Sequence, residues 1–384
     1  MLKRFSNFGV DTWQRIEGSG LMANIWDVAK SAGVSISSVS AVLNQSGRVS
    51  EGTRRRVWAA VELVGYSPNL VARSLRTGRS TLIGMVVGDI TNPFSGGLVR
   101  IVESAAIARG FSVIVCNIDA EESRVPAILD HLRGQNVAGI LLTPIGPPDQ
   151  LIRQIQSKPV PPIVTIDQKV PGLARDFVGF DNRAAIRMLV DYLVRLGHAR
   201  IALITGRVGR WTADERHAGF VAAMRDANIA ADPSLISRTG FGGETAYAAT
   251  SAMLARRDPP SAIVAANNVT ALGALQACVN LGFQCPQDIS IVGVDDVPWS
   301  GLVAPRITIV AQPMDQIGGL AIEWLLERMT EPGLAIEPRE RIFEPLIVAG
   351  ESCRDLRADV PFQTRRFGAL HRSRTALPFD VHST

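Results

Sequence analysis

The chain of 384 residues holds only four cysteines, at 116, 278, 285 and 353, and no two of them form a Cys-x-x-Cys pair. Cys278 and Cys285 do not suggest a zinc site, and the four cysteines read as buried free thiols of a reducing compartment. The five histidines form no His-Glu-x-x-His motif, and the chain has neither a Walker loop nor a Gly-x-Ser-x-Gly elbow. No enzyme activity, catalytic residue, metal ligand or cofactor is therefore expected. Long apolar runs are missing too. None approaches the ~20 residues of a membrane span, and residues 1–20 lack the apolar core of a signal peptide. The expected location is the cytoplasm, with no membrane partner.

Charge is nearly balanced at +4 overall, but it is unevenly spread. Residues 1–80 carry eleven Lys and Arg against five Asp and Glu, a surplus of +6. Residues 351–384 carry +2, which leaves −4 on 81–350. A basic end on an acidic body suggests a polyanion-binding module joined to something else.

The basic end reads as three helices. Ile25, Val28, Ala29 and Ala32 recur at helical spacing, and Gly33 supplies a tight turn. Ser35 caps a second helix with Val39, Val42 and Leu43 inward; Ser50 caps a third with Val57, Val61 and Val64 inward, ending at Gly65. Two short helices around a glycine-containing turn make a helix-turn-helix, whose second helix enters the DNA major groove. The stretch 67–80 (SPNLVARSLRTGRS) is too short for a stable isolated helix and too basic for core, so it reads as a linker that orders on contact.

From residue 81 short apolar runs alternate with helical stretches. The runs lie at 82–88, 113–117, 139–143, 162–166, 200–205, 262–267 and 289–294, with helices such as 98–109, 182–196, 215–227 and 244–257 between most of them. That alternation predicts parallel sheet covered by helices on both faces, in two lobes of similar build and without a visible sequence repeat. From residue 351 the pattern fades into what reads as a flexible basic tail. GFGGET at 240–245 reads as a turn into a helix, and His198 as a residue that packs or caps between helix and strand.

These stretches resemble the lactose-repressor (LacI/GalR) family of bacterial transcriptional regulators. The resemblance is carried by DVAKSAGVSISSVSAVLN (27–44), ELVGYSPNLVARSLRTG (62–78), LGHARIALITG (196–206), ERHAGF (215–220), AANNVTALGAL (265–275) and DISIVGVDD (288–296). It implies an all-α helix-turn-helix domain and a hinge helix, followed by a two-lobed α/β domain like periplasmic binding proteins, with parallel sheets. The implied boundaries are an unordered extension at 1–22, the DNA-binding domain at 23–67 and the hinge at 68–80. An effector-binding and dimerising domain follows at 81–350, then the tail at 351–384.

The resemblance also implies partners and sites: a homodimer, a pseudo-palindromic double-stranded operator, and a small effector, most simply a sugar or sugar derivative. DNA contacts fall to Ser35, Ile36, Ser37, Ser38, Ser40, Ala41 and Asn44, and in the hinge to Asn69, Ala72, Arg73, Leu75 and Arg76. Ala41 departs from the family's frequent arginine, which makes bidentate bonds to guanine; a methyl offers only apolar contact, for instance to thymine. Leu75 is the implied minor-groove wedge. The implied effector residues are Asn92, Phe94, Asp167, Arg216, Asn267 and Asp295, with Trp211 and Trp299 as further stacking candidates. Asn268 stands where the family usually has Asp, which weakens the inference of an ordinary neutral sugar, and Arg207 and Arg210 nearby would suit an acidic ligand. The competing reading is a solute receptor without DNA function.

Overall fold

Asn24, Ser35 and Ser50 each start a helix, because each places a side-chain oxygen where the first turn has unpaired amides. In the computed structural model, which describes residues 23–43, 46–47, 49–66, 80–297, 300–302, 304–330 and 337–357, these helices are α1 (Ile25–Ala32), α2 (Ile36–Leu43) and α3 (Glu51–Val64). Asn24 and Asp27 form a reciprocal capping box, Ser35 Oγ accepts from Ser38 N at 3.2 Å, and Ser50 Oγ accepts from Thr53 N at 3.3 Å. Gly33 and Gly65 close α1 and α3 in the left-handed region, at φ 62° and 64°. Val28, Val39, Val42 and Val57 fill the small core between them, each contributing ~1.5–3 kcal/mol on burial. The expectations for 1–22, Asn44, Asn69, Ala72, Arg73, Leu75, Arg76 and Trp299 lie outside the described residues.

The chain divides into two compact units, Met1–Ser80 and Thr81–Thr384. The second holds two six-stranded sheets. Lobe 1 has β1 (Leu82–Val87), β2 (Ser112–Asn117), β3 (Gly139–Leu142), β4 (Ile163–Ile166), β5 (Asp176–Phe180) and β11 (Glu340–Phe343), in the order β11-β5-β4-β3-β1-β2. Lobe 2 has β6 (Ile201–Ile204), β7 (Ile236–Ser237), β8 (Ala262–Ala265), β9 (Ser290–Val294), β10 (Thr308–Ala311) and β12 (Leu346–Val348), in the order β12-β10-β9-β8-β6-β7. All neighbours pair in parallel except β10 with β12. The central strands are buried on both faces, which is why they read as continuous apolar runs.

The same strand order therefore occurs twice. The sequence shows no repeat because what is shared is topology, carried by the alternation of strand and helix and not by particular residues.

Lobe 1 is covered by α4 (Pro93–Ile107), α5 (Val125–Gly134), α6 (Pro148–Gln156) and α11 (Met314–Thr330); lobe 2 by α7 (Asn182–Arg195), α8 (Trp211–Asp226), α9 (Gly243–Leu254) and α10 (Asn268–Leu281). Close packing of α7 on α8 requires Gly219, since a Cβ there would lie 2.5 Å from the Arg183 carbonyl oxygen. The chain passes between the lobes after β5, after β10 and between β11 and β12.

One boundary needs correction. The flexible tail was expected from residue 351, yet residues 351–356 are tied to lobe 2. Ser352 is fully buried, its carbonyl accepts from Ile291 N at 3.0 Å, and Leu356 N donates to the Leu196 carbonyl at 2.8 Å. His198 serves the same junction, with its ring against Ser261 Oγ, Ser290 Oγ and the Arg354 carbonyl. Order here comes from main-chain and polar bonds, which leave no hydrophobic period to read.

Candidate functional site: an interlobe cavity and a recognition helix

In an open parallel sheet, ligands gather beyond the carboxyl ends of the strands. The two lobes turn those ends toward one cavity of about 650 Å³. Asn92, Phe94, Asp167, Arg216, Asn267 and Asp295 all line it.

Asp167 follows β4 and Asp295 follows β9, so they hold the same place in the two lobes. Both sit in the left-handed region, at φ 66° and 69°, a conformation that Asp and Asn tolerate better than other side chains. Each backbone amide is anchored on the neighbouring strand, Asp167 N to the Val178 carbonyl at 3.1 Å and Asp295 N to the Val310 carbonyl at 2.9 Å. Burial lifts both carboxyls to about 6, against the pull of the Arg216 guanidinium.

Arg216, on the inward face of α8, is 4% exposed. Its Nε donates to Asn182 Oδ1 at 2.7 Å and its Nη1 to the Ala266 carbonyl, and its guanidinium lies 5.6 Å from the centre of the Phe241 ring. Burial lowers its pKa, opposed by Asp295 and Asp167. The floor of the cavity is thus one guanidinium with a carboxylate from each lobe.

The two asparagines are partly committed. Asn92 caps α4, its Oδ1 accepting from Phe94 N at 2.9 Å. Asn267 caps α10 through Thr270 N at 2.7 Å, and its Nδ2 donates to the Phe241 carbonyl at 3.3 Å. Its amide therefore holds the aromatic wall in place. Asn268 is buried, bonds to the Asp296 carbonyl and does not line the cavity. Its departure from the family pattern therefore removes no carboxylate from the cavity wall. Trp211 is also absent from this wall; its ring packs edge-on against Phe177, centroids 5.6 Å apart. Arg207 is exposed at the rim, and Arg210 reaches across to Glu122 at 3.8 Å.

Among the lining residues that escaped the sequence reading are Phe241, Gln168 and Gln312, and the carboxylates of Asp89 and Asp119. Phe241 had a signal, an aromatic isolated among the glycines of GFGGET. The glutamines had none. Gln312 Nε2 donates to Asp295 Oδ2 at 3.1 Å, while Gln168 Nε2 donates to Thr212 Oγ1 at 2.7 Å and its Oε1 accepts from Thr212 N at 3.3 Å.

In the first unit, Ser35, which caps α2, and Ser37 are exposed, with Ser38, Ile36, Ser40 and Ala41 half-buried. Ser35 Oγ lies 2.8 Å from Ser37 Oγ and 2.9 Å from Ser38 Oγ, and Ile36 packs partly against the core. The hydroxyls form a polar tip on a helix whose other outward groups are small.

Comparison with known proteins matches both units. Residues 24–69 fit the model of bacterial regulatory proteins, lacI family, and residues 190–353 fit the periplasmic binding protein-like domain. The chain is 34% identical over 343 residues to the HTH-type transcriptional repressor PurR of Yersinia pestis, covering 88% of this chain and all of that protein. It is 32% identical to PurR of Aliivibrio salmonicida, over 87% of this chain and all of that one. Among solved structures, the Lac repressor dimer bound to operator and the anti-inducer ONPF aligns with TM-score 0.77 and 27% identity, over 86% of this chain and 99% of that one. The transcriptional regulator CelR in its cellobiose complex aligns with TM-score 0.64 and 30% identity, again over 86% and 99%.

Proposed function

Because the chain belongs to the lacI family of bacterial regulatory proteins, and so is an effector-controlled DNA-binding repressor of the cytoplasm and not an enzyme, we propose that it acts as a homodimer on a pseudo-palindromic operator released or engaged by a neutral sugar or sugar derivative. Residues 23–67 read the half-site, 68–80 form the hinge, and the two-lobed domain from 81, expected to end at 350 and here extended to 356, binds effector and dimerises. A receptor without DNA function leaves the match over 24–69 without a role.

One observation carries the effector class: a buried guanidinium and two carboxylates, one from each lobe, on a single cavity floor. Vicinal hydroxyls donate to Asp167 and Asp295 and accept from Arg216 in charge-assisted bonds, while the rings of Phe94 and Phe241 cover an apolar ring face. A sugar acid is disfavoured. Four carboxylates line the cavity against three guanidiniums; of these, Arg207 is exposed and Arg210 faces Glu122. The volume falls within the ~300–1,000 Å³ typical of small-molecule sites, and CelR, a structural neighbour, was solved with cellobiose.

On DNA, the hydroxyls of Ser35, Ser37, Ser38 and Ser40 with Asn44 contact phosphate or base, and Ile36 and Ala41 make apolar contact. Asn69, Ala72, Arg73, Leu75 and Arg76 supply the hinge grip, Leu75 as the wedge. Lobe closure on the effector changes hinge geometry, and the coupling is reciprocal.

The test is a thermal-shift screen of the full chain against neutral sugars, sugar acids, polyols and nucleobases, followed by operator titration at two salt concentrations. Neutral sugars are expected to raise Tm and alter operator affinity, and Leu75→Ala to cost specific binding more than non-specific binding. A shift with acids or nucleobases alone overturns the effector class, and equal losses on both DNAs overturn the wedge.

A further inference from the structure

Beside the large cavity lies a second one of about 230 Å³, and the two lobes build it together. Pro144, Pro148 and Leu151 from the β3–α6 segment and Val170 and Pro171 after β4 form the lobe 1 wall, and Trp211 at the start of α8 faces them from lobe 2. Charged groups reach this space but each is engaged elsewhere. Lys169 Nζ sits 2.6 Å from Glu340 Oε2, Asp214 pairs with Arg238, and Arg210 faces Glu122. What remains for an occupant is the faces of proline rings, aliphatic groups and an indole. The volume lies below the usual range for an effector-sized ligand and suits one ring.

Gln168 and Arg210 border both cavities. Gln168 is pinned at both ends of its amide by Thr212, so the partition is a cross-lobe strut.

We propose that this junction cavity is a second ligand site, specific for a small neutral aromatic ring, that tunes the response of the large cavity through the shared Gln168–Arg210 wall. A ring held between Trp211 and the prolines touches both lobes at once and so favours the lobe arrangement that forms the cavity. Its effect on the effector is reciprocal. The proposal is independent of whether the effector is a sugar.

The probe is 4-fluorophenol, titrated into the full-length protein and followed by ¹⁹F NMR. Saturable binding is expected with Kd on the order of 1 mM, which for about eight non-hydrogen atoms lies between the ligand efficiency of drug-sized molecules and the ceiling reached by the smallest ligands. Pro171→Trp, an exposed position at the wall, fills the space, and Trp211→Ala removes the platform; each is expected to weaken binding at least ~10-fold. Phe241→Ala, in the large cavity only, is expected to leave it unchanged. No saturable binding overturns the proposal, as does binding that survives Pro171→Trp and Trp211→Ala or is lost with Phe241→Ala. Circular dichroism of the three variants separates loss of binding from loss of fold.

Discussion

Asp167 and Asp295 occupy equivalent positions in two lobes of identical strand order, share a left-handed backbone and hang from the neighbouring strand in the same way. The residues after them part company. Gln168 reaches across to Thr212 in lobe 2, whereas Asp296 stays at home, its carbonyl bonded to Asn268 and its carboxylate 3.8 Å from Arg306. A second asymmetry is Arg216, supplied by lobe 2 alone. A duplicated scaffold thus presents two like carboxylates, and single-lobe additions give the site its counter-charge and its link.

The largest effect is expected from breaking the counter-charge. Arg216→Ala leaves the two half-buried carboxylates of the cavity without their cation and strands Asn182 Oδ1 and the Ala266 carbonyl. Uncompensated buried charge costs about 3–5 kcal/mol. Calorimetry should show loss of effector binding by more than ~100-fold and a lower Tm for the second unit, while operator binding below the new Tm persists. An unchanged ligand-induced Tm shift would remove Arg216 from the site.

Asp167→Asn and Asp295→Asn test whether the like carboxylates are alike in energy. Asparagine keeps the left-handed backbone and removes only the charge, so each change should weaken the effector by about 1.5–3 kcal/mol, the worth of a charged hydrogen bond. Both groups are raised to about 6 from an ordinary value near 3.8. The folded state therefore binds protons that the unfolded chain has released between pH 4 and 6. Their contribution to stability falls as pH rises through that window and stays low above it. Effector affinity runs the other way, because only the ionised forms accept two sets of hydroxyl bonds: it should drop as pH falls below 6. Either Asn variant should flatten that drop, and titration calorimetry at pH 5 and 7.5 would show it. One lobe's variant without effect would make the pair unequal.

Much of this was legible beforehand, and the limits are physical. The central strands, such as β4 and β9, could be read because burial on both faces makes them unbroken apolar runs. The short, partly exposed edge strands β7, β11 and β12 could not. Neither could β5 and β10, which are buried but whose apolar runs are interrupted by Asp176 and Gly179 or kept short, from Ile309 to Ala311 after Thr308. The edge strand β2 was legible because its residues are apolar although partly exposed. The six effector candidates came from the family resemblance, and they do line one cavity. Asn267, however, spends its amide on Thr270 and Phe241, something no residue type announces. Gln168 and Gln312 went unseen because a glutamine in a loop has neither period nor motif; only the meeting of distant segments gives it a task.

The smallest effect probes the unequal neighbours. Gln168→Ala removes two hydrogen bonds between lobes, at 2.7 and 3.3 Å. Each such bond contributes ~1 kcal/mol net, and part of the loss is returned when water reaches Thr212. Because the strut holds the lobes in one arrangement, its removal should act on the lobe equilibrium and appear in effector affinity as a change of roughly 3–10-fold, with little change in Tm. Asp296→Ala, the change at the corresponding place in lobe 2, cuts only contacts within its own lobe and should leave affinity within about twofold. Fluorescence titration of the two variants side by side gives the comparison directly. Equal shifts would mean that the link between the lobes is spread over other contacts, among them Trp211 on Phe177 and Arg210 facing Glu122, and that the asymmetry after the two aspartates has no part in closure.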